Sequence, residues 1–168
     1  DCAPPFEEPF TVVGNFPYNI SSQILFRVLE WKDQVPVMVG MFQKEVAKRI
    51  VSGPGNKDYG ILSVLVQAYY HAEYLFDVPP QSFNPPPKVD SGVIKLTRRT
   101  DVVDMRSEKS FIAVVKAAFG QRRKMLRVSL KAFSPIIENI LIDVGIKPTQ
   151  RAEEISLEQY CALARVLN

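Results

Sequence analysis

Residues 15–18 read Asn-Phe-Pro-Tyr and follow the β-branched run Thr11, Val12 and Val13, with Gly14 between. Asn15 brings a side-chain carbonyl. Phe16 and Pro17 each bring a backbone carbonyl held in a tight turn, and Pro17 has no N–H of its own. Tyr18 brings a flat aromatic face. Two acceptors side by side suit an amino group with two N–H bonds, and a ring beside them suits a base. Together they fit the exocyclic amine of a nucleobase turned out of its stack. Such an amine is a weak nucleophile, because its lone pair is delocalised into the ring. Acceptors on both N–H bonds draw the nitrogen toward tetrahedral geometry. They also stabilise the positive charge that grows as it attacks an activated methyl group. Aligning amine and methyl supplies much of the remaining acceleration. No strong base is required, so the lack of paired carboxylates, a Cys–His pair or a Ser–His–Asp set is no objection. The plainer reading of these four residues is a strand closed by a proline turn.

A second ring stands at Phe83, before the proline-rich stretch of residues 84–89. It is expected to close a slot against Tyr18; the alternative is a plug in the core.

The elements that must position these groups follow from the hydrophobic pattern. Residues 10–16 predict a buried strand ended by Pro17. Asn19 or Ser21 is expected to cap a helix over 21–31, where Ile24, Leu25, Val28 and Leu29 recur at helical spacing. Residues 35–42 predict a second buried strand, and residues 43–51 a helix stopped by Ser52-Gly53-Pro54-Gly55-Asn56. Residues 59–70 predict a third helix, although Val64 and Val66 also admit a strand. A strand over 72–79, a rigid extended loop over 79–89 and a strand over 90–99 follow. From residue 107 the pattern is helical. It breaks at Gly120, stops at Gly145 and Pro148, and resumes over 155–168 with Ser156 as a cap and Glu158 in the first turn. Strands alternating with helices predict an α/β fold with a mainly parallel sheet, followed by a small all-helical domain. The division falls near residues 98–107, giving 1–100 and 101–168. Ligands of such sheets sit at the carboxyl ends of the strands, where residues 15–18 fall.

Composition narrows the function classes. With 168 residues, 46% of them hydrophobic, the chain can build a core. No apolar run is long enough to cross a bilayer, and no signal-peptide pattern is present. Cys2 and Cys161 stand at opposite ends and His71 is the single histidine, which speaks against a disulfide framework and a zinc site and for a reducing, cytoplasmic compartment. The net charge of +3 conceals an asymmetry. Residues 95–131 hold eleven Lys or Arg and three Asp or Glu, a net of +8, while the remainder carries −5. Such a segment is either a nucleic-acid footprint or a solvated helix face. The chain opens without Met in a proline-rich stretch and is expected to be a piece of a longer protein.

The pairing of residues 15–21, Asn-Phe-Pro-Tyr-Asn-Ile-Ser, with residues 83–96 resembles the ribosomal RNA adenine dimethyltransferases, the KsgA family. Residues 42–67 resemble that family's middle segment, 117–130 its C-terminal-domain motif and 151–167 its closing helix. The resemblance thus runs in order along nearly the whole chain. It implies a Rossmann-like class I methyltransferase sheet, of which residues 1–100 are the C-terminal part, and a helical rRNA-binding domain over 101–168. It implies S-adenosylmethionine as cofactor and N6-dimethylation of two adjacent adenines in the 3′-terminal hairpin loop of small-subunit (16S) rRNA during ribosome biogenesis. The implied partners are small-subunit rRNA and the assembling 30S subunit, with no membrane and no metal. By position, Asn15 and the Pro17 carbonyl hold the amine, Tyr18 and Phe83 stack on the base, and Asn15 also lies near the cofactor. Arg122, Arg123 and Lys124 match the family's basic cluster for rRNA, and Lys44 and Arg49 are weaker RNA-contact candidates.

Two departures stand out. The family has Leu, Ile or Pro where this chain has Phe16. Its glycine-rich cofactor loop and acidic ribose-binding residue precede the Asn motif, and nothing here matches them. Residues 53–60 are no substitute, since they follow a helix and not a strand. The first three strands of the sheet are therefore expected to be absent. The strand before Asn15 becomes an exposed apolar edge, the chain alone binds S-adenosylmethionine poorly and is inactive, and it self-associates through that edge. Two alternatives remain open. One is a large-subunit rRNA adenine N6-methylase of the macrolide-resistance type. The other is a non-catalytic rRNA-binding module of ribosome assembly.

Overall fold

The structure, a computed structural model, describes residues 3–101 and 103–167, so Cys2 lies outside the described residues. The chain divides into two compact units, Asp1–Val51 with Tyr69–Thr100, and Ser52–Ala68 with Asp101–Asn168. The cut near residue 100 is one border between them. Residues 52–68 group with the second unit, although they lie in the middle of the first in sequence.

The first unit holds β1 (Val12–Asn15), α1 (Ser21–Glu30), β2 (Val37–Gln43), α2 (Lys44–Val51), β3 (Tyr70–Val78) and β4 (Ser91–Arg98). The strands form one sheet in the order β1-β2-β4-β3. Only β1 and β2 run parallel; β4 is antiparallel to both its neighbours. The expected mainly parallel sheet is thus corrected to a mixed one. The physical reason lies in the connections. Helix α1 is a crossover that lets β2 run beside β1 in the same direction. The proline loop between β3 and β4 contains no crossover helix, so β4 returns antiparallel.

Strand β2 alternates strictly between half-buried and buried residues, with Met38, Gly40 and Phe42 on the buried side. Met38 stands opposite Leu96 and Gly40 opposite Ile94, both fully buried. Helix α2 packs on β2, β3 and β4 and buries Ala47 and Ile50. Helix α1 buries Leu25, Val28 and Leu29. The expected cap of α1 is not formed: Ile20 occupies the cap position, and the Ser21 hydroxyl turns back to donate to the Tyr18 carbonyl at 3.1 Å.

The second unit holds α3 (Ile61–Gln67), α4 (Glu108–Gly120), α5 (Leu126–Ser129), α6 (Ile137–Asp143) and α7 (Leu157–Val166). Helix α3 resolves the ambiguity at Val64 and Val66. It buries Ser63, Val64, Leu65 and Val66 together, so no amphipathic stripe marks it in the sequence. It is also shorter than expected, since Tyr70 already begins β3. Ser107 caps α4, and Ser156 with Gln159 forms a capping box on α7. Gly145 ends α6 at φ 79°, a conformation that favours glycine. Helices α4 and α7 pack together, and Cys161 is fully buried in α7.

Among the described residues no helix is long and apolar enough to cross a membrane, and no group of three or more His, Cys, Asp or Glu could hold a metal ion.

Candidate functional site

Strand β1 is an edge of the sheet, and Val13 on it is 72% exposed. At its carboxyl end the Phe16 N–H continues the ladder to the Met41 carbonyl at 3.4 Å. The Phe16 ring then folds over two glycines that face each other across β1 and β2, Gly14 and Gly40. A Cβ on Gly40 would stand 2.5 Å from Phe16 Cε2, and one on Gly14 would stand 2.7 Å from Cε1. The ring also meets Phe42, with centroids 5.4 Å apart. These two glycines make room for the bulky Phe16 between Asn15 and Pro17.

With Phe16 tucked over the sheet, the chain turns sharply. The Ile20 N–H donates to the Pro17 carbonyl at 3.2 Å, closing the 3-10 turn Tyr18–Ile20. A carbonyl oxygen has two lone pairs, so one stays available to a ligand. Tyr18 is held at both ends: its carbonyl by Ser21, and its hydroxyl by a hydrogen bond with Ser91 Oγ at the start of β4. A cleft of about 310 Å³ is lined by Asn15, Phe16, Pro17, Tyr18, Phe83, Pro85 and Pro87. The four residues expected from the sequence to do chemistry therefore share one cleft. Phe16, Pro85 and Pro87 also line it, and Ser91 anchors it. Ser91 had a faint signal, a small polar residue just ahead of the apolar Val93 and Ile94.

Lys44 begins α2, where its N–H donates to the Asp90 carbonyl at 2.9 Å. Its ammonium pairs with Asp77 at 3.0 Å, and Asp77 also accepts from the Tyr74 hydroxyl. The hydrogen bond from Tyr74, and then that from Lys44, hold the Asp77 carboxyl below its ordinary range; the same carboxylate holds Lys44 above its own. Gly92 leaves the space into which the Tyr74 ring reaches. Arg49 pairs with Glu45 one turn away at 2.7 Å. Both weaker RNA-contact candidates are thus engaged with carboxylates on an exposed surface, from which a phosphate would have to draw them.

The basic segment 95–131 is split by the fold. Lys95, Arg98 and Arg99 belong to the sheet unit, and Arg106 onward to the helical one. Within the helical unit the Arg-Arg-Lys run is not uniform. Arg123 and Lys124 are exposed. Arg122 is half-buried, and its Nη2 is engaged: it donates to the carbonyls of Asn56 at 3.3 Å and Lys57 at 2.8 Å and to the Glu153 carboxylate at 3.0 Å. Its guanidinium also lies 5.8 Å from the centre of the Phe119 ring.

Within the sheet unit, the passages from a strand into an α-helix are the Phe16–Ile20 turn and the direct junction of Gln43 with Lys44, and neither contains glycine. Neither passage is therefore a glycine-rich loop of the kind that cradles a phosphate. The stretch Gly53–Gly60 joins α2 to α3 and is tied down by the Gly55 N–H donating to the Glu153 carbonyl. What the described residues form at the end of β1 is a cleft that brings the Asn15 amide and the Pro17 carbonyl beside the rings of Tyr18 and Phe83.

A family model described as ribosomal RNA adenine dimethylase matches residues 5–168. A ribosomal RNA small subunit methyltransferase A of Cytophaga hutchinsonii is 49% identical over all of this chain and 64% of its own length. One of Flavobacterium johnsoniae is 53% identical over 93% of this chain and 59% of its own length. The chain thus spans less than two-thirds of these relatives. Among solved structures, a dimethyladenosine transferase from Plasmodium falciparum superposes with a TM-score of 0.80 at 22% identity, over 97% of this chain and 67% of that one. The 23S rRNA methyltransferase ErmE superposes with a TM-score of 0.73 at 27% identity, over 98% and 68%. Both place the mixed sheet and its helices in the Rossmann-like rRNA adenine methyltransferase fold. With the family model matching nearly every residue, the chain belongs to the ribosomal RNA adenine dimethylase family.

Proposed function

We propose that this chain carries the adenine-holding part of an S-adenosylmethionine-dependent rRNA (adenine-N6,N6)-dimethyltransferase acting on small-subunit rRNA in the cytoplasm. The observation that carries the reading is the cleft in which Asn15, Pro17, Tyr18 and Phe83 converge. The Asn15 side-chain carbonyl and the open lone pair of the Pro17 carbonyl accept the two N–H bonds of adenine N6. They hold the amine at the mouth of the cleft and favour its lone pair pointing outward. Tyr18 and Phe83 take the faces of the flipped base, a contact available only to a base removed from its stack. The methyl group comes from S-adenosylmethionine, whose seat belongs to a region the described residues do not include. Arg123 and Lys124 meet rRNA phosphates, giving affinity without sequence choice. The small subunit is favoured because the relatives near 50% identity are small-subunit methyltransferases, while ErmE is more distant. The assembling 30S subunit is the proposed partner.

The test is methyl transfer from labelled S-adenosylmethionine to undermethylated small subunits. It compares this chain with a version extended N-terminally by the corresponding region of a relative. Activity confined to the extended protein, and lost on Asn15→Ala, is the expected result. Activity in neither, with RNA binding intact in both, would favour the assembly-module reading instead.

A further inference from the structure

Four serines are buried among the described residues, Ser21, Ser63, Ser91 and Ser129, and two of them grip the same tyrosine. Ser21 Oγ donates to the Tyr18 carbonyl, and Ser91, fully buried, bonds the Tyr18 hydroxyl. We propose that Ser91 is a positioning residue that fixes the Tyr18 ring as one wall of the base slot; this rests on the reading of Tyr18 as a stacking face.

The geometry argues for more than local packing. Tyr18 follows β1, while Ser91 opens β4, and β2 lies between those strands. The hydrogen bond therefore reaches across the end of an intervening strand. Ser91 itself cannot drift, because it is held in register opposite Gln43 on β2 and Val78 on β3. It also ends the proline loop that carries Phe83. One hydrogen bond thus ties the turn bearing the first ring to the strand that anchors the loop bearing the second. The phenol oxygen lies on the axis of χ2, so a bond there restrains χ1, the torsion that swings the whole ring. Phenylalanine at position 18 would offer the same face without that restraint. Alanine at position 91 would leave the phenol without its partner on Ser91.

The test uses this chain and a single-stranded oligoribonucleotide carrying 2-aminopurine, whose fluorescence reports stacking and needs no methyl donor. Ser91→Ala and Tyr18→Phe are each expected to weaken binding roughly three- to tenfold, the effect of one orienting hydrogen bond. The double variant is expected to be no weaker than either single one, since both remove the same bond. Ser91→Thr, which keeps the hydroxyl, retains the affinity. Wild-type affinity in Ser91→Ala while Tyr18→Ala loses binding would overturn the proposal, as would single losses that multiply. Unchanged binding in Tyr18→Ala would instead refute the stacking role of Tyr18. Ring order of isotope-labelled Tyr18 by nuclear magnetic resonance then decides on Ser91: a looser ring in Ser91→Ala supports it, and an unchanged ring overturns it.

Discussion

Replacing Arg122 by alanine should loosen a loop and leave the electrostatics of RNA binding largely intact, although Arg122 stands first in a run of three cations. Its Nη2 donates to two backbone carbonyls, of Asn56 and Lys57, and pairs with Glu153. The same Glu153 residue accepts the Gly55 N–H through its backbone carbonyl, so both sides of the 52–60 loop are fastened here. The Arg122 side chain is 35% exposed, so its ion pair is partly screened and counts for little. The two carbonyl contacts and the ring contact with Phe119 bring the total to about 2 kcal/mol. That corresponds to a roughly thirtyfold rise in local opening. Amide hydrogen exchange reads it directly: the Gly55 and Tyr59 amides should exchange about thirtyfold faster in Arg122→Ala, while amides of β2 and β4 stay as they are. RNA affinity measured against salt gives the complementary arm. Each phosphate contact contributes about 0.7–0.9 to the slope of log affinity against log salt. Arg123→Ala with Lys124→Ala should therefore flatten the slope by about 1.5, and Arg122→Ala should leave it unchanged. Wild-type exchange at Gly55 and Tyr59 together with a flattened slope in Arg122→Ala would refute the reasoning and return Arg122 to the phosphate contacts.

Gly40→Ala should destabilise the sheet unit by about 1–3 kcal/mol through overpacking against Phe16 and Phe42, and Phe16→Leu should recover most of it; urea unfolding of the two variants checks both. Asp77 should titrate below its ordinary 3.8, and because Tyr74 is the larger cause, Tyr74→Phe should raise the midpoint more than Lys44→Met does. The sign follows for stability: the Asp77 contribution is full above the ordinary carboxylate range and fades as pH falls through the lowered value. Light scattering should show concentration-dependent self-association through the β1 edge, relieved by Val13→Lys; a monomer at high concentration would count against it. Calorimetry with S-adenosylmethionine should detect no micromolar binding to this chain.

The cleft was legible because its chemistry is nearly contiguous. Asn15, Pro17 and Tyr18 are neighbours, and Phe83 sits beside a proline loop that can scarcely be anything but a rigid wall. Strand direction was not read from periodicity, which reports burial and carries no sign. The clue lay in the connections: a proline loop without helical spacing between two strands argues for an antiparallel return. Arg122 shows a different limit. Charge counting sees three cations in a row, whereas the partners of the first lie some 65 residues back, at Asn56 and Lys57. Val13 is the opposite case, since the strand before Asn15 is expected to form an exposed apolar edge and does so. A β-branched run reads as buried wherever it occurs, but burial belongs to the sheet and not to the strand. Here the run lies on an edge with Val13 exposed, and among the described residues no strand pairs with its far side. Apolar surface and open hydrogen-bonding groups on one edge are the two ingredients of strand addition. That conjunction, which neither the run nor the edge would supply alone, is why self-association is expected from this chain and why a single lysine at position 13 should suppress it.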